Sequence, residues 1–216
     1  MAKTPSQSAP VPRLYIVTPL VADTAGIATP LQDALAAADV AAVLLRLAPA
    51  DERTLINRVK ALAPAVQEQG TALILEEHLE IAARAGADGC HINDVATLRS
   101  AAAALKPARI LGAGRLPSRH DAMLAGEAGV DYVMFGEPDA KGARPSLSAV
   151  VERVSWWAAL FEIPCVAFAA SLEEIEPLCE AGADFIALGD AVFSDPRGLA
   201  AAAADAGRHI GARVTA

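Results

Sequence analysis

Aromatic residues are scarce in this chain. Phe, Trp and Tyr make up 4% of its 216 residues, while apolar residues of all kinds make up 54%. A core of that composition is built mostly from Ala, Val, Leu and Ile. Long hydrophobic runs are missing too. Charges, Gly or Pro interrupt each apolar stretch well before the roughly 20 residues a membrane span needs, so no membrane partner is expected. There is no basic excess: 18 Lys and Arg stand against 26 Asp and Glu, a formal net charge of −8. Nucleic-acid binding usually rests on a basic stripe, so no nucleic-acid partner is expected either. The three cysteines, Cys90, Cys165 and Cys179, form no C-x2-C pair, and His78, His91, His120 and His209 are scattered. That pattern argues against a zinc site. Each cysteine sits in apolar sequence, which suits reduced, buried thiols in a cytoplasmic protein. The start, "MAKTPSQSAPVPR", has no apolar h-region of a secretory signal. Residues 1–12 read as a disordered lead-in. No Pro/Gly/Ser-rich linker divides the rest, so 13–216 read as one domain.

One phrase is present three times: "AGADGCHI" from Ala85, "AGVDYVMFG" from Ala128 and "AGADFIALG" from Ala181. In the first copy an Ala-rich helical stretch runs into Gly86, which takes the left-handed conformation that ends a helix. A short apolar run of strand length follows. Gly129 and Gly182 read in the same way. Extending the pattern gives eight strand candidates, at 14–18, 40–46, 71–75, 89–92, 109–113, 132–135, 164–168 and 185–188. They are continuous apolar runs, as expected of parallel strands buried on both faces. Alternation with helices indicates an α/β fold, and eight units in about 200 residues a (β/α)8 TIM barrel. A doubly wound open sheet is the alternative. In a barrel the chemistry sits where strands end. The repeated phrase lies at the other end and reads as scaffold.

The strand ends offer the following groups. Thr18-Pro19 follow the first strand and Arg46 ends the second. Glu76, Glu77 and His78 follow the third, and His91, Asn93 and Asp94 the fourth. Then come Gly114-Arg115, Gly136-Glu137, Ala169-Ala170-Ser171 and Gly189-Asp190. Glu76, Glu77 and Asp94 are candidates for one Mg2+, a hard cation that takes oxygen ligands. Equally, they could open helices and offset the N-terminal dipole. Arg46 could clamp an anionic or aromatic substrate, or pair with Glu76 or Glu77. His91 could move a proton or be a hydrogen-bonded core residue. Phosphate sites in such barrels use the loops after strands seven and eight, where Gly189 could approach a phosphate. Asp190 would set a like charge beside it. Trp156 and Trp157 are adjacent on a probable helix and face about 100° apart. One of them is a candidate subunit contact in a homo-oligomer.

Through "LYIVTP", "AGADGCHIN", "AGEAGVDYVMFGEP" and "CEAGADFIALGDAVF" the chain resembles the thiamine phosphate synthase family and its relative, the thiazole tautomerase. The resemblance implies a (β/α)8 barrel and a transferase of thiamine biosynthesis. Such an enzyme joins hydroxymethylpyrimidine diphosphate to thiazole phosphate and releases pyrophosphate, with Mg2+. Carried over by residue, it keeps Arg46 and His91. It sets Glu76, Glu77 and His78 where the family has Asn-Asp-Arg, so Glu77 becomes the implied metal ligand, with Asp94 as the second. Leu44 and Ala48 replace the Gln and Lys around Arg46, and Gly114 replaces a Ser. Lys141 or Arg144 stands for the lysine of the sixth loop. Ala169-Ala170 replace Gly-Gly, and Asp190 replaces a Ser. The expected small-molecule site is thus Arg46, Glu76, His91, Gly136 and Gly189, with Glu77 and Asp94 for Mg2+. The scaffold motifs stand while the phosphate and metal motifs have changed. The alternative is a diverged member without synthase activity that binds or converts a different small molecule.

Overall fold

A computed structural model describes residues 11–139 and 141–211. Most of the expected lead-in lies outside these residues. Eight parallel strands close in chain order: β1 (Arg13–Val21), β2 (Val40–Leu47), β3 (Ala72–Glu76), β4 (Gly89–Ile92), β5 (Ile110–Ala113), β6 (Tyr132–Phe135), β7 (Cys165–Ala169) and β8 (Phe185–Leu188). β8 pairs back onto β1, with Leu14 opposite Ile186. The open-sheet alternative is therefore excluded. The outer helices are α1 (Ala28–Ala37), α2 (Glu52–Gln67), α3 (Leu79–Ala85), α4 (Leu98–Leu105), α5 (Arg119–Glu127), α6 (Leu147–Leu160), α7 (Ile175–Glu180), α8 (Asp190–Phe193) and α9 (Leu199–Gly211). Among the described residues no helix is long and apolar enough to cross a membrane.

Seven strands fall within about a residue of their expected positions. β1 runs three residues further than expected. Pro19 cannot donate to the ladder, and the strand passes it with a register shift between Val17 and Leu20. Helix starts follow local chemistry. Asp51 accepts from the N–H of Thr54 at the head of α2, and Ser118 and Asp121 form a capping box on α5.

The period-2 alternation of strands divides the core into two layers. Leu14, Ile16, Val43, Leu45, Leu73, Leu75, Leu111 and Val133 face the helices. Tyr15, Val17, Ala42, Leu44, Ile74, Tyr132, Met134, Val166, Phe168 and Ala187 fill the barrel. Arg46 and Glu76 lie two residues beyond Leu44 and Ile74, so the same parity aims them along the barrel axis. Trp157 is fully buried and donates from Nε1 to Ile163 O at 2.7 Å. Trp156 is partly buried against Phe161 and beneath the Arg119 guanidinium. Of the tryptophan pair, Trp157 belongs to the core and Trp156 lies at its edge.

The repeated phrase has a two-point role. Gly86, Gly129 and Gly182 all have positive φ, at 81°, 84° and 95°. The aspartate that follows each grips the preceding strand. Asp88 accepts from Leu73 N at 2.7 Å and donates its own N–H to Leu73 O at 2.9 Å. Asp131 does the same with Leu111, and Asp184 with Cys165. Asp39, before β2, holds the Arg13 guanidinium instead. Asp184→Ala would leave the Cys165 N–H without its acceptor. Urea unfolding should then show a loss of about 1–3 kcal/mol. Asp184→Asn, which keeps an acceptor oxygen, should recover most of it. An alanine variant as stable as the parent would count against the clamp.

Candidate active site

The strand ends open into a cavity of about 430 Å3. Its walls are apolar at Val17, Leu44, Met134 and Phe168, and polar at Arg46, Glu76, His91, Asn93, Arg115, Glu137, Arg144 and Asp190. The centre of the polar side is Glu76. Arg46 Nε donates to its Oε2 at 3.1 Å, and Arg115 NH2 lies 3.7 Å from its Oε1. Asn93 Nδ2 donates to Oε1 at 3.3 Å. Two guanidinium groups thus share one carboxylate. Of the two readings of Arg46, the pairing with Glu76 is present, and the side chain also lines the cavity.

His91 is 1% exposed. Its Nδ1 shares a hydrogen bond with Tyr132 OH at 2.9 Å, and Tyr132 OH with Tyr15 OH at 2.8 Å. The three polar groups form a chain on the axis below the mouth. Burial pushes the His91 pKa down to about 4, against the pull of Glu76. It is a neutral ring at pH 7, facing the site with Nε2. Two glycines make room for this arrangement. A Cβ on Gly112 would stand 2.0 Å from Tyr132 Cζ. One on Gly114 would stand 2.2 Å from His91 Nε2 and 2.6 Å from Glu137 Oε1.

Glu137 accepts the Arg115 N–H and holds Arg115 in the left-handed region at φ 49°. The buried Nε of Arg115 has no hydrogen-bond partner among the described residues. Desolvation pushes the Glu137 pKa up to about 7, opposed by the Arg115 N–H and charge. Between the ordinary carboxyl value of 4.5 and about 7, the folded state keeps a proton that the unfolded chain has released. Stability from this group therefore falls as pH rises through that window. His91 acts the other way and loses stability as pH falls from 6.5 towards 4. Glu137→Gln removes only the first effect. Relative to the parent it should gain on the order of 2 kcal/mol between pH 5 and pH 8, discounted for partial exposure. Urea titrations at the two pH values measure this, and a constant difference would refute it.

Four residues expected in the site, Arg46, Glu76, His91 and Gly189, line this one cavity. Gly136 lines a neighbouring cavity of about 400 Å3 between the β6 end and α6. There its backbone explains the glycine: φ is 95°, and a Cβ would stand 2.8 Å from Val150. Glu77 and Asp94 line neither. Glu77, at φ 64°, accepts from Asn93 N at 2.6 Å, and Asp94 caps Ala96 N. Among the described residues no group of three His, Cys, Asp or Glu could hold a metal. With Glu76 taken by two arginines and the other two carboxylates by backbone N–H groups, the residues present do not fit a resident Mg2+. Sequence reasoning assigned no role to Arg115, Glu137, Tyr15, Tyr132 or Glu174. Strand parity was the available signal for the two tyrosines, since both share the inward face with Val17 and Met134.

Comparison with known proteins agrees with the fold and extends it. A family model described as thiamine monophosphate synthase matches residues 14–192. The thiamine-phosphate synthase of Rhodospirillum centenum is 41% identical over 199 residues, covering 91% of this chain and 96% of that protein. That of Hyphomonas neptunium is 35% identical over 205 residues, covering 91% and 93%. Among solved structures, thiamine phosphate pyrophosphorylase from Pyrococcus furiosus superposes with a TM-score of 0.77 at 19% identity, covering 93% of this chain and 96% of that one.

Proposed function

The chain belongs to the thiamine monophosphate synthase family, and from that membership we propose that it is a transferase of thiamine biosynthesis. In this reading it joins hydroxymethylpyrimidine diphosphate to thiazole phosphate and releases pyrophosphate. The observation that carries it is the mouth itself: two arginines around Glu76, beside apolar walls in a cavity of about 430 Å3. Val17, Leu44, Met134 and Phe168 would take the pyrimidine. Arg46 and Arg115 would face the diphosphate, and Arg115 Nε would gain the acceptor it lacks. Departure of the diphosphate leaves a cation on the pyrimidine methylene, which the thiazole nitrogen captures. The residues bind, orient and neutralise charge, and that is where electrostatic catalysis acts. His91, held neutral, adds no positive charge against the developing cation. No step here runs through a metal. The test is direct: purified protein with both substrates should form thiamine phosphate and pyrophosphate in equal amounts.

A second reading has its own support. Ala169, Ala170 and Asp190 line the mouth where phosphate sites of such barrels lie. They favour a diverged member that takes a different, unphosphorylated small molecule. Absence of product, together with thermal stabilisation by an uncharged heteroaromatic and none by either phosphate, would select this reading.

A further inference from the structure

The loops after β6 and β7 meet at the far side of the mouth, and one ion pair ties them. Arg144, after β6, donates from NH1 to both oxygens of Glu174, each at 2.9 Å. Its Nε donates to Gly136 O at 3.3 Å and its NH2 to Phe168 O at 3.4 Å. Glu174, in the β7 loop, also accepts the N–H of Ala170 at 2.8 Å. Both side chains are mostly buried, at 20% and 17% exposure. Phosphate sites in barrels of this kind draw on the loops after strands seven and eight and on a short extra helix. Here that helix is α8, and it opens on Asp190. Of this cluster, Arg144 and Ala170 line the cavity.

We propose that Glu174 is a resident anion, whose carboxylate holds the two donors that a ligand's phosphate would otherwise take at this side of the barrel. The proposal rests on the reading of this mouth as the ligand site. A phosphate entering there must displace Glu174 from Arg144 and from the Ala170 N–H. A ligand without a phosphate meets no such competitor. Glu174 thereby sets whether the β7 side of the mouth accepts a phosphate.

Calorimetric titration with inorganic phosphate tests this. Glu174→Gln removes the competing charge and should tighten binding at least tenfold. Glu174→Asp withdraws the carboxylate by one methylene and should give a smaller gain in the same direction. It carries the test alone if the glutamine variant fails to fold. In the double variant Arg144→Gln/Glu174→Gln the gain should vanish, because the released donor is gone. Binding that is unchanged or weaker in the Glu174 variants would overturn the proposal. So would a gain that survives in the double variant. Turnover plays no part in the titration, so a chain inactive as a synthase still returns a clear answer.

Discussion

Gly112→Ala is expected to lower the stability of the barrel by about 3–5 kcal/mol, enough to unfold much of a marginally stable population. The added Cβ would lie 2.0 Å from Tyr132 Cζ, 2.3 Å from its hydroxyl and 2.5 Å from Cε1. Real atoms do not approach so closely, so the ring or the strand must move. The ring is not free to move. Its hydroxyl is shared between Tyr15 and His91 in the buried lumen, and Gly112 is paired with Tyr132 across β5 and β6. Overpacking typically costs about 1–3 kcal/mol, and a broken buried hydrogen bond adds about 1–3. Urea unfolding measures the sum. In the double variant Gly112→Ala/Tyr132→Ala the clash is gone, so the two losses should be strongly non-additive. A loss below about 1 kcal/mol for the single variant would mean that the lumen is looser than described.

Arg46→Ala should lower kcat/KM for thiamine phosphate formation by about 100- to 1000-fold while leaving the fold intact. The Arg46 side chain is a third exposed, so little apolar packing is lost with it. What is lost is one of the two positive groups around Glu76, at the point where the diphosphate would sit. A factor of that size corresponds to about 3–4 kcal/mol of transition-state stabilisation. Pyrophosphate affinity should fall in parallel, which separates a role in anion binding from a general loosening of the mouth. Arg46→Lys keeps the charge but not the planar fork, and should recover only part of the rate. A loss under threefold for the alanine variant, with thermal stability preserved, would remove Arg46 from the reaction.

The scaffold was legible in the sequence because its signals are local. The three glycines of the repeated phrase each require a left-handed backbone, and each was found in one. Apolar runs gave β4, β6 and β8 to the residue, since both faces of a buried strand are apolar. β1 was cut short at Thr18-Pro19 because a proline reads as an end, whereas a register shift carries the strand past it. The site was legible only by position. That Arg46, Glu76 and His91 end strands placed them in one mouth. Which partners they take depends on the register between strands, which no single segment encodes. Glu76 meets Arg115 from β5, two strands away, and Glu137 reaches the Arg115 N–H across the space left by Gly114. Glu77 and Asp94 had the chemistry of metal ligands, but the backbone turns them to local N–H groups.

The aspartate grips at the lower rim pair the strands as β1 with β2, β3 with β4, β5 with β6 and β7 with β8. None of the four spans two such pairs. The barrel is thus stapled as four two-stranded quarters, and the seams between quarters carry sheet and packing contacts without this staple. A circular permutant opened at a seam, between β2 and β3 or between β6 and β7, would keep each staple within an unbroken stretch of chain. One opened inside a quarter would turn a local grip into a contact between the two ends of the chain.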